Sequence, residues 1–493
     1  MARKTVLASV VSLFSLLGLV ACTGTSTVRI STDLMRDKIK GGWVGQTIGV
    51  CYGGPTEFRW AGSWIGEDVP LDYSAEQLVR YFNNDDLYMD ISFLAVLAEQ
   101  GLDATSEQLG LKFANAGFSL WHANQAGRWN ILHGVMPPAS GFWKNNPHAD
   151  DIDFQIEADF IGLISPAMPA TALDYCERVG HIMNYGDGVY GGVWVAAMYS
   201  QAYVEKDIAV VVQKALASLP PKSQYYQCIS DVLAWWRQYP DDWRRTWFEV
   251  QKKWSSDVGC PECAIQPGNI DAKLNGAYIA IGLLYGGGDF GKTLEIATRC
   301  GQDSDCNPSN AAGVLGALLG FSHIPDQWKV GLDQIENEKF NYCDYSLNEV
   351  CEVTYRLAGE LVARGGGSVG DTSWIIQRQK PSAPDELEVG FEGLVPAGLL
   401  DLKKDETQDL WTLDFEGRAY AVHGNMQYDG GDADCQVFID GSQVEEVTLS
   451  GNHHDRRTPL FWNYDLEPGT HRLEIRKTAG DGVIRFGKVL VYK

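Results

Sequence analysis

The chain has no basic run and too few basic residues overall to hold a polyanion: 40 Lys and Arg stand against 64 Asp and Glu, a formal charge of −24 over 493 residues. Phosphate-backbone binding needs a positive footprint, so nucleic acid is excluded as a partner. No apolar run matches the hydrocarbon thickness of a bilayer. The run from Val6 to Val20 falls short of that and follows Arg3 and Lys4, the form of an export signal. Cysteine, at eleven residues, is modest and irregularly spaced for this length, so no disulfide framework is assigned. Cys260-Pro-Glu-Cys263 is a single CxxC with no second pair to complete a zinc knuckle, and reads as a loop disulfide or free thiols. Internal repeats are absent.

What is present divides the chain. Leu19-Val20-Ala21-Cys22 resembles a lipoprotein cleavage box. The expectation is therefore a signal peptide over residues 1–21, lipidation at Cys22 and a tether over 22–31. That places the protein in the bacterial envelope, periplasmic or surface-exposed, attached to the membrane through lipid. From residue 32 to 363 apolar residues recur at helical spacing and turn signals separate the segments, which predicts an all-α domain. Leu34, Ile39, Trp43, Val44 and Ile48 lie near one stripe of a first helix that Gly53-Gly54-Pro55 ends, and Thr105 and Gln108 form a capping box. Residues 364–385, with Gly365-Gly366-Gly367 and Pro381 to Pro384, read as a linker. Beyond it, over 386–493, the period becomes two: Ala419 to His423, Cys435 to Ile439, His471 to Ile475 and Val483 to Tyr492 alternate between turn signals, predicting an all-β, jelly-roll-like sandwich as an accessory domain.

Two acidic signatures stand at loop-to-helix junctions far apart in sequence. One is Asn83-Asn84-Asp85-Asp86, followed by Asp90; the other is Gln302-Asp303-Ser304-Asp305-Cys306-Asn307, ahead of a small-residue helix. Singly, each reads as an N-cap with acids at the positive end of a helix dipole. Brought together, they would repel, and hard oxygen ligands in that number suit Mg²⁺, with Mn²⁺ or Ca²⁺ as alternatives. A third acid, Glu57, sits in the turn Gly54-Pro55-Thr56-Glu57-Phe58.

A glycine-rich helix ending in Gly53-x-Pro55-x-Glu57-Phe58, then an Asp-Asp helix start, then a late D-x-D-x-N before a small-residue helix resembles the ADP-ribosylglycohydrolase family over roughly residues 33 to 329. The resemblance implies a compact all-α catalytic domain with one or two magnesium ions. It makes Asp85, Asp86, Asp303 and Asp305 the metal carboxylates, with Asn84 and Cys306 where the family carries hydroxyl residues, and Glu57 the glutamate beside the reacting centre. Cys306 offers a soft sulfur where a hard ion is expected.

Between these motifs, Asp153 and Glu157 stand four apart. On a helix they would share a face, as a pair of acid and base or as a solvated acidic surface. Asp303, Glu57, Asp153 and Glu157 are the catalytic candidates. Asp90, Asp159, His181, Trp129 and Trp143 are candidates for substrate contact, with Trp121 in the same aromatic group. The activity expected from the resemblance is metal-dependent hydrolysis at C1 of a ribose-like sugar. An exported glycoside hydrolase acting on a non-nucleotide glycan and an inactive glycan-binding lipoprotein are the alternatives.

Overall fold

A computed structural model describes residues 26–493 apart from 257, 267–269, 406–408 and 429. The segment read as a signal peptide and Cys22 lie outside the described residues, among which no helix is long and apolar enough to cross a membrane. Residues 32–364 form the expected helical domain around one apolar core. The first helix, Thr32–Gly53, starts where the Ser31 side chain accepts a hydrogen bond from the Leu34 amide, and it is buried through most of its length. The capping box at Thr105 and Gln108 is formed as the sequence predicts.

The first helix lies directly against the small-residue helix Cys306–Leu319. Gly41, Gly45, Gly49 and Gly53 form a ridge at every fourth position. A methyl group placed on each would come within 2.2, 2.2, 2.2 and 1.9 Å of the carbonyl oxygens of Gly316, Ala312, Pro308 and Ser304 respectively. One series ascends by four as the other descends, so the two helices run antiparallel with their backbones in contact. Lys38, buried, donates to the carbonyls of Ala202, Ala317 and Leu318 at 3.0, 3.0 and 2.7 Å, satisfying the C-terminal ends of Cys306–Leu319 and of one further helix, Asp187–Ala202. The result is functional: the end of the Gly53 turn is held against Ser304, between the two acids of the D-x-D motif.

Two boundaries differ from expectation. Thr27–Ser31, read as part of a tether, is a strand paired antiparallel with Ser373–Gln377, which also pairs Ser368–Val369. The linker read over 364–385 therefore contains a hairpin. Its cause is alternation: Ile30, Trp374 and Ile376 are buried while their neighbours are not.

The C-terminal region is two antiparallel sheets sharing a core that includes Phe415, Tyr420, Val437, Leu473 and Val489. One sheet orders Phe461–Asn463, Ala419–Met426, Ile484–Tyr492 and Pro396–Asp401. The other orders Lys403–Asp405, Leu410–Gly417, Gly469–Ala479, Ala433–Ile439 and Ser442–Leu449. A separate apolar cluster joins the two domains: Ala149 and Ala264 of the helical domain pack with Phe391, Ala421, Tyr464 and Leu490. Polar contacts reinforce it. Gln125 donates to the Arg456 carbonyl at 2.7 Å, the Arg456 guanidinium to the Leu120 carbonyl, and Trp462 to the Lys144 carbonyl at 2.9 Å.

Three residues proposed for substrate contact belong to this junction. Trp143 packs with Phe391 and Tyr464. Trp129 stacks on His133 at 4.2 Å and lies beneath the Arg457 guanidinium. His181 Nε2 lies 2.9 Å from Glu388 Oε1, and its Nδ1 lies 2.9 Å from the Glu177 carbonyl. Large aromatics and an ion pair are what a domain seam needs, and single-sequence reading cannot separate that from a sugar site.

Burial alone would lower the pKa of His181, but the Glu388 hydrogen bond and charge outweigh it and raise it to about 9. Glu388, opposed by its own burial, is held below the usual carboxylate range by His181. A raised histidine pKa stabilises fully below the unfolded value near 6.5, and that stabilisation is lost as pH rises through about 9. The window closes at the acid end as pH falls through the folded pKa of Glu388. The pair is worth on the order of 3 kcal/mol at its best. His181→Gln should flatten the fall in melting temperature between neutrality and about pH 9; an unchanged slope would refute this assignment.

Candidate active site

A cavity of about 460 Å³ opens where the Glu57 turn, the Asp85 helix, the Asp303 loop and the start of the helix His122–Leu132 meet. Asp85, Asp303, Glu57 and Cys306 line one side, and Trp121, His122, Asn124 and Asp153 the other. The acids distant in sequence do converge. Asn84 Nδ2 donates to Asp305 Oδ2 at 3.2 Å, while Asn84 Oδ1 accepts from the Asp86 amide at 3.0 Å and caps its helix. Thr56 and Ser304 hydroxyls meet at 2.8 Å, the Phe58 amide donates to the Gln302 carbonyl at 2.9 Å, and the Gln302 amide donates to the Trp60 carbonyl at 2.9 Å. Phe58 and Gln302 both hold positive φ, 51° and 58°. Left-handed backbone at non-glycine residues is uncommon, and here it clusters where two loops are clamped around Glu57.

The electrostatics are those of a cluster awaiting a counter-charge. Asp86 Oδ2, Asp303 Oδ1 and Asp305 Oδ1 are buried without a hydrogen-bond partner, and no Lys or Arg forms an ion pair with Asp85, Asp86, Asp303 or Asp305 among the described residues. Burial first, then Asp305, pushes Asp86 and Asp303 well above the carboxylate range, and Asp85 to about 6. Glu57, at the rim, is raised to about 8 by partial burial and then by Asp305 and Asp85. Orphaned buried carboxylate oxygens of this kind fit a hard divalent cation. Asp303, Asp305 and Cys306 bring their donor atoms within 4.8 Å of one another. Cys306, however, donates from Sγ to Asp86 Oδ1 at 3.2 Å, and burial and the surrounding acids hold its thiol pKa well up. Its proton is spent on orienting Asp86, the task a hydroxyl performs, so the soft sulfur does not conflict with a hard ion.

Asp153 and Glu157 are not a solvated face. The helix there is one turn, Asp153–Ile156, and both acids are buried. Asp153 accepts from the Asn124 and Ala123 amides at 3.0 and 3.3 Å, which caps the His122–Leu132 helix from outside. Asn124 Nδ2 donates to Glu157 Oε1 at 2.5 Å. Burial, then Asp153, holds Glu157 well above the carboxylate range. Asp153 reaches the cavity and Glu157 supports it from behind. Asp90 and Asp159 also lie beneath the cavity rather than in it. Asp90 accepts from Gln46 at 2.8 Å; Asp159 accepts from Tyr199 and Asn310 at 2.5 and 2.7 Å. Both are fully buried, tied to neighbouring helices by these bonds, and neither lines the cavity. Trp121, 51% exposed, is the tryptophan at the cavity. His122 and Asn124 were not foreseen, and nothing local marks them, because their role follows from where Asp153 caps their helix.

Carboxylates gathered at helix starts, beside a cavity large enough for a sugar and edged by Phe58 and Trp121, give the helical domain a ligand pocket with an acidic wall. The chain belongs to the ADP-ribosylglycohydrolase family, whose model matches residues 31–365, and that membership brings hydrolysis of glycosidic bonds. A solved "ADP-ribosylglycohydrolase-related protein complex" resembles it at 14% identity and a TM-score of 0.42, covering 66% of this chain and 99% of that one. No curated protein matches the chain.

Proposed function

We propose that the protein is an exported, magnesium-dependent glycoside hydrolase that cleaves the C1 bond of a neutral furanose-like sugar in a glycan or small glycoside. One observation carries the choice of substrate. The cavity lining among the described residues contains two exposed aromatics and no Lys or Arg. A diphosphate is normally held by such cations, whereas a sugar ring stacks on aromatic faces.

Asp85, Asp86, Asp303 and Asp305 would hold the cation, which would supply Lewis-acid charge able to position sugar hydroxyls and to offset negative charge on the departing group. Trp121 and Phe58 present apolar faces to the ring. Glu57 is the group placed to move a proton: its carboxyl lines the cavity beside the acidic centre, held there by the turn that packs on Ser304 and Gln302. Asp153 caps the helix that carries Asn124, and Glu157 accepts from the Asn124 side chain and so orients it.

The test is the purified full chain, with Mg²⁺ and with chelator, against a panel of pyranosides and furanosides and against ADP-ribosyl conjugates. Sugar release that requires Mg²⁺, with no ADP-ribose released, is expected. Turnover of the conjugates alone would reverse the substrate assignment, and full turnover in chelator would reverse the role of the cation.

A further inference from the structure

A second group of donors, distinct from the acidic centre, is reached at the cavity wall through His122, with its other three members buried. His122, from the start of its helix, His148 and Asp151, from the loop that follows, and Cys260, from a segment more than a hundred residues on, bring one donor atom each to within 4.8 Å of one another. Asp151 Oδ2 lies 2.8 Å from His148 Nδ1 and 3.7 Å from His122 Nδ1. The two imidazoles meet edge to face at 5.3 Å. His148, Asp151 and Cys260 have no solvent exposure. From these we propose that His122, His148, Asp151 and Cys260 form a closed structural site for a borderline transition-metal cation of the zinc class.

The donor set selects the ion. One sulfur, two imidazole nitrogens and one carboxylate oxygen suit tetrahedral Zn²⁺, whereas Mg²⁺ and Ca²⁺ take oxygen. Tetrahedral zinc, with bonds of roughly 2.0–2.3 Å, sets its ligands roughly 3.3–3.8 Å apart. The 3.7 Å Asp151–His122 separation already fits, while the 2.8 Å Asp151–His148 pair would open and the other donors, within 4.8 Å of one another, would close in.

The surroundings have the form of a metal site's outer layer. His148 Nε2 faces Glu262 Oε2 at 3.3 Å. A metal-bound imidazole characteristically gives its other N–H to a carboxylate, which fixes the tautomer and turns the free nitrogen, here Nδ1, towards the ion. Glu262 in turn belongs to the segment on which the sandwich rests: His423, from the strand Ala419–Met426, hydrogen-bonds the Pro261 backbone.

Two other readings of these side chains fit less well. A nucleophilic Cys–His–Asp relay is a linear arrangement with an accessible sulfur, whereas these atoms converge on a point and Cys260 is sealed. A Cys260–Cys263 disulfide is not formed, since both residues are thiols. The position gives the site a purpose. His122 lies between Trp121 and the helix that Asp153 caps, and Ile152 and Asp153 follow Asp151 directly, so one ion would clamp both flanks of the cavity wall and the domain seam behind it. His122 holds φ at +46°, a strained backbone that a metal bond would compensate.

The test uses the full chain and metal alone as the probe. Protein purified without added metal should carry about one zinc per chain by mass spectrometry, as closed sites of this kind retain their ion. After chelation, Co²⁺ should restore visible tetrahedral bands and a near-ultraviolet thiolate-to-cobalt band. Cys260→Ser should abolish the thiolate band, Cys306→Ser should leave it, and Glu262→Gln should weaken cobalt binding by about tenfold. The wild-type titration decides the matter even if a variant fails to fold. No stoichiometric Co²⁺ binding, a thiolate band that follows Cys306, or a Cys260–Cys263 disulfide in the purified protein would each overturn the proposal. None of these readouts depends on which sugar is cleaved.

Discussion

Asp305→Ala is expected to lower kcat/KM by a factor of about a thousand or more, with the helical domain still folded. Asp305 occupies the N-cap position of the helix Cys306–Leu319, buried, with one carboxylate oxygen facing Asn84 and the other unpartnered. It is also the charge that, after burial, does most to raise Glu57, Asp85, Asp86 and Asp303. Removing it takes a ligand from the proposed cation. Stability should move the other way. In chelator nothing offsets the repulsion among these acids, so the alanine variant is expected to melt at or above the chelated wild type, while Mg²⁺ stabilises the wild type more than the variant. Calorimetry with and without Mg²⁺ checks both. A chelated variant that melts far below chelated wild type would show Asp305 to be a structural cap, and retained turnover would remove it from the cation site.

The second large effect concerns a residue with no chemistry. Gly49→Ala in an ordinary helix stabilises by roughly 0.5–1 kcal/mol, because alanine loses less conformational freedom on folding. At Gly49 the sign should reverse. The new methyl group would sit 2.2 Å from the Pro308 carbonyl oxygen, and a buried helix backbone is not a flexible side chain that can swing away. A destabilisation of about 3 kcal/mol or more is expected. Activity should fall with it, since the same contact registers Gly53 against Ser304 and so sets Glu57 beside the D-x-D acids. Gly359→Ala is the control: it is also helical, but its methyl group would meet nothing closer than Trp374 at 3.5 Å, and it should be neutral or stabilising. Denaturant unfolding of the two variants side by side decides the point, and equal effects would sink the ridge interpretation.

The sequence by itself determined the local structure of this protein and the residue types of its chemistry. Helical periodicity, the Thr105 capping box and the change to alternating apolar residues after residue 386 depend on neighbours within a few positions, so they can be read without the fold. The Asp85-Asp86 and Asp303-x-Asp305 signatures likewise announced hard-ligand chemistry through their composition alone. Only the tertiary structure decided which groups meet. It brought Asn84 to Asp305 across more than two hundred residues, and it gave Cys306 a partner that turned a doubtful ligand into a donor. It moved Trp129, Trp143 and His181 to the domain seam while leaving Trp121 at the cavity. It also gathered His122, His148, Asp151 and Cys260, of which Cys260 alone stood in a motif weighed for metal, the lone CxxC that was read as a loop disulfide or free thiols. The glycine ridge shows the reason most directly: its four-residue spacing is legible in one helix, but its meaning resides in a second helix that the first can only find by packing.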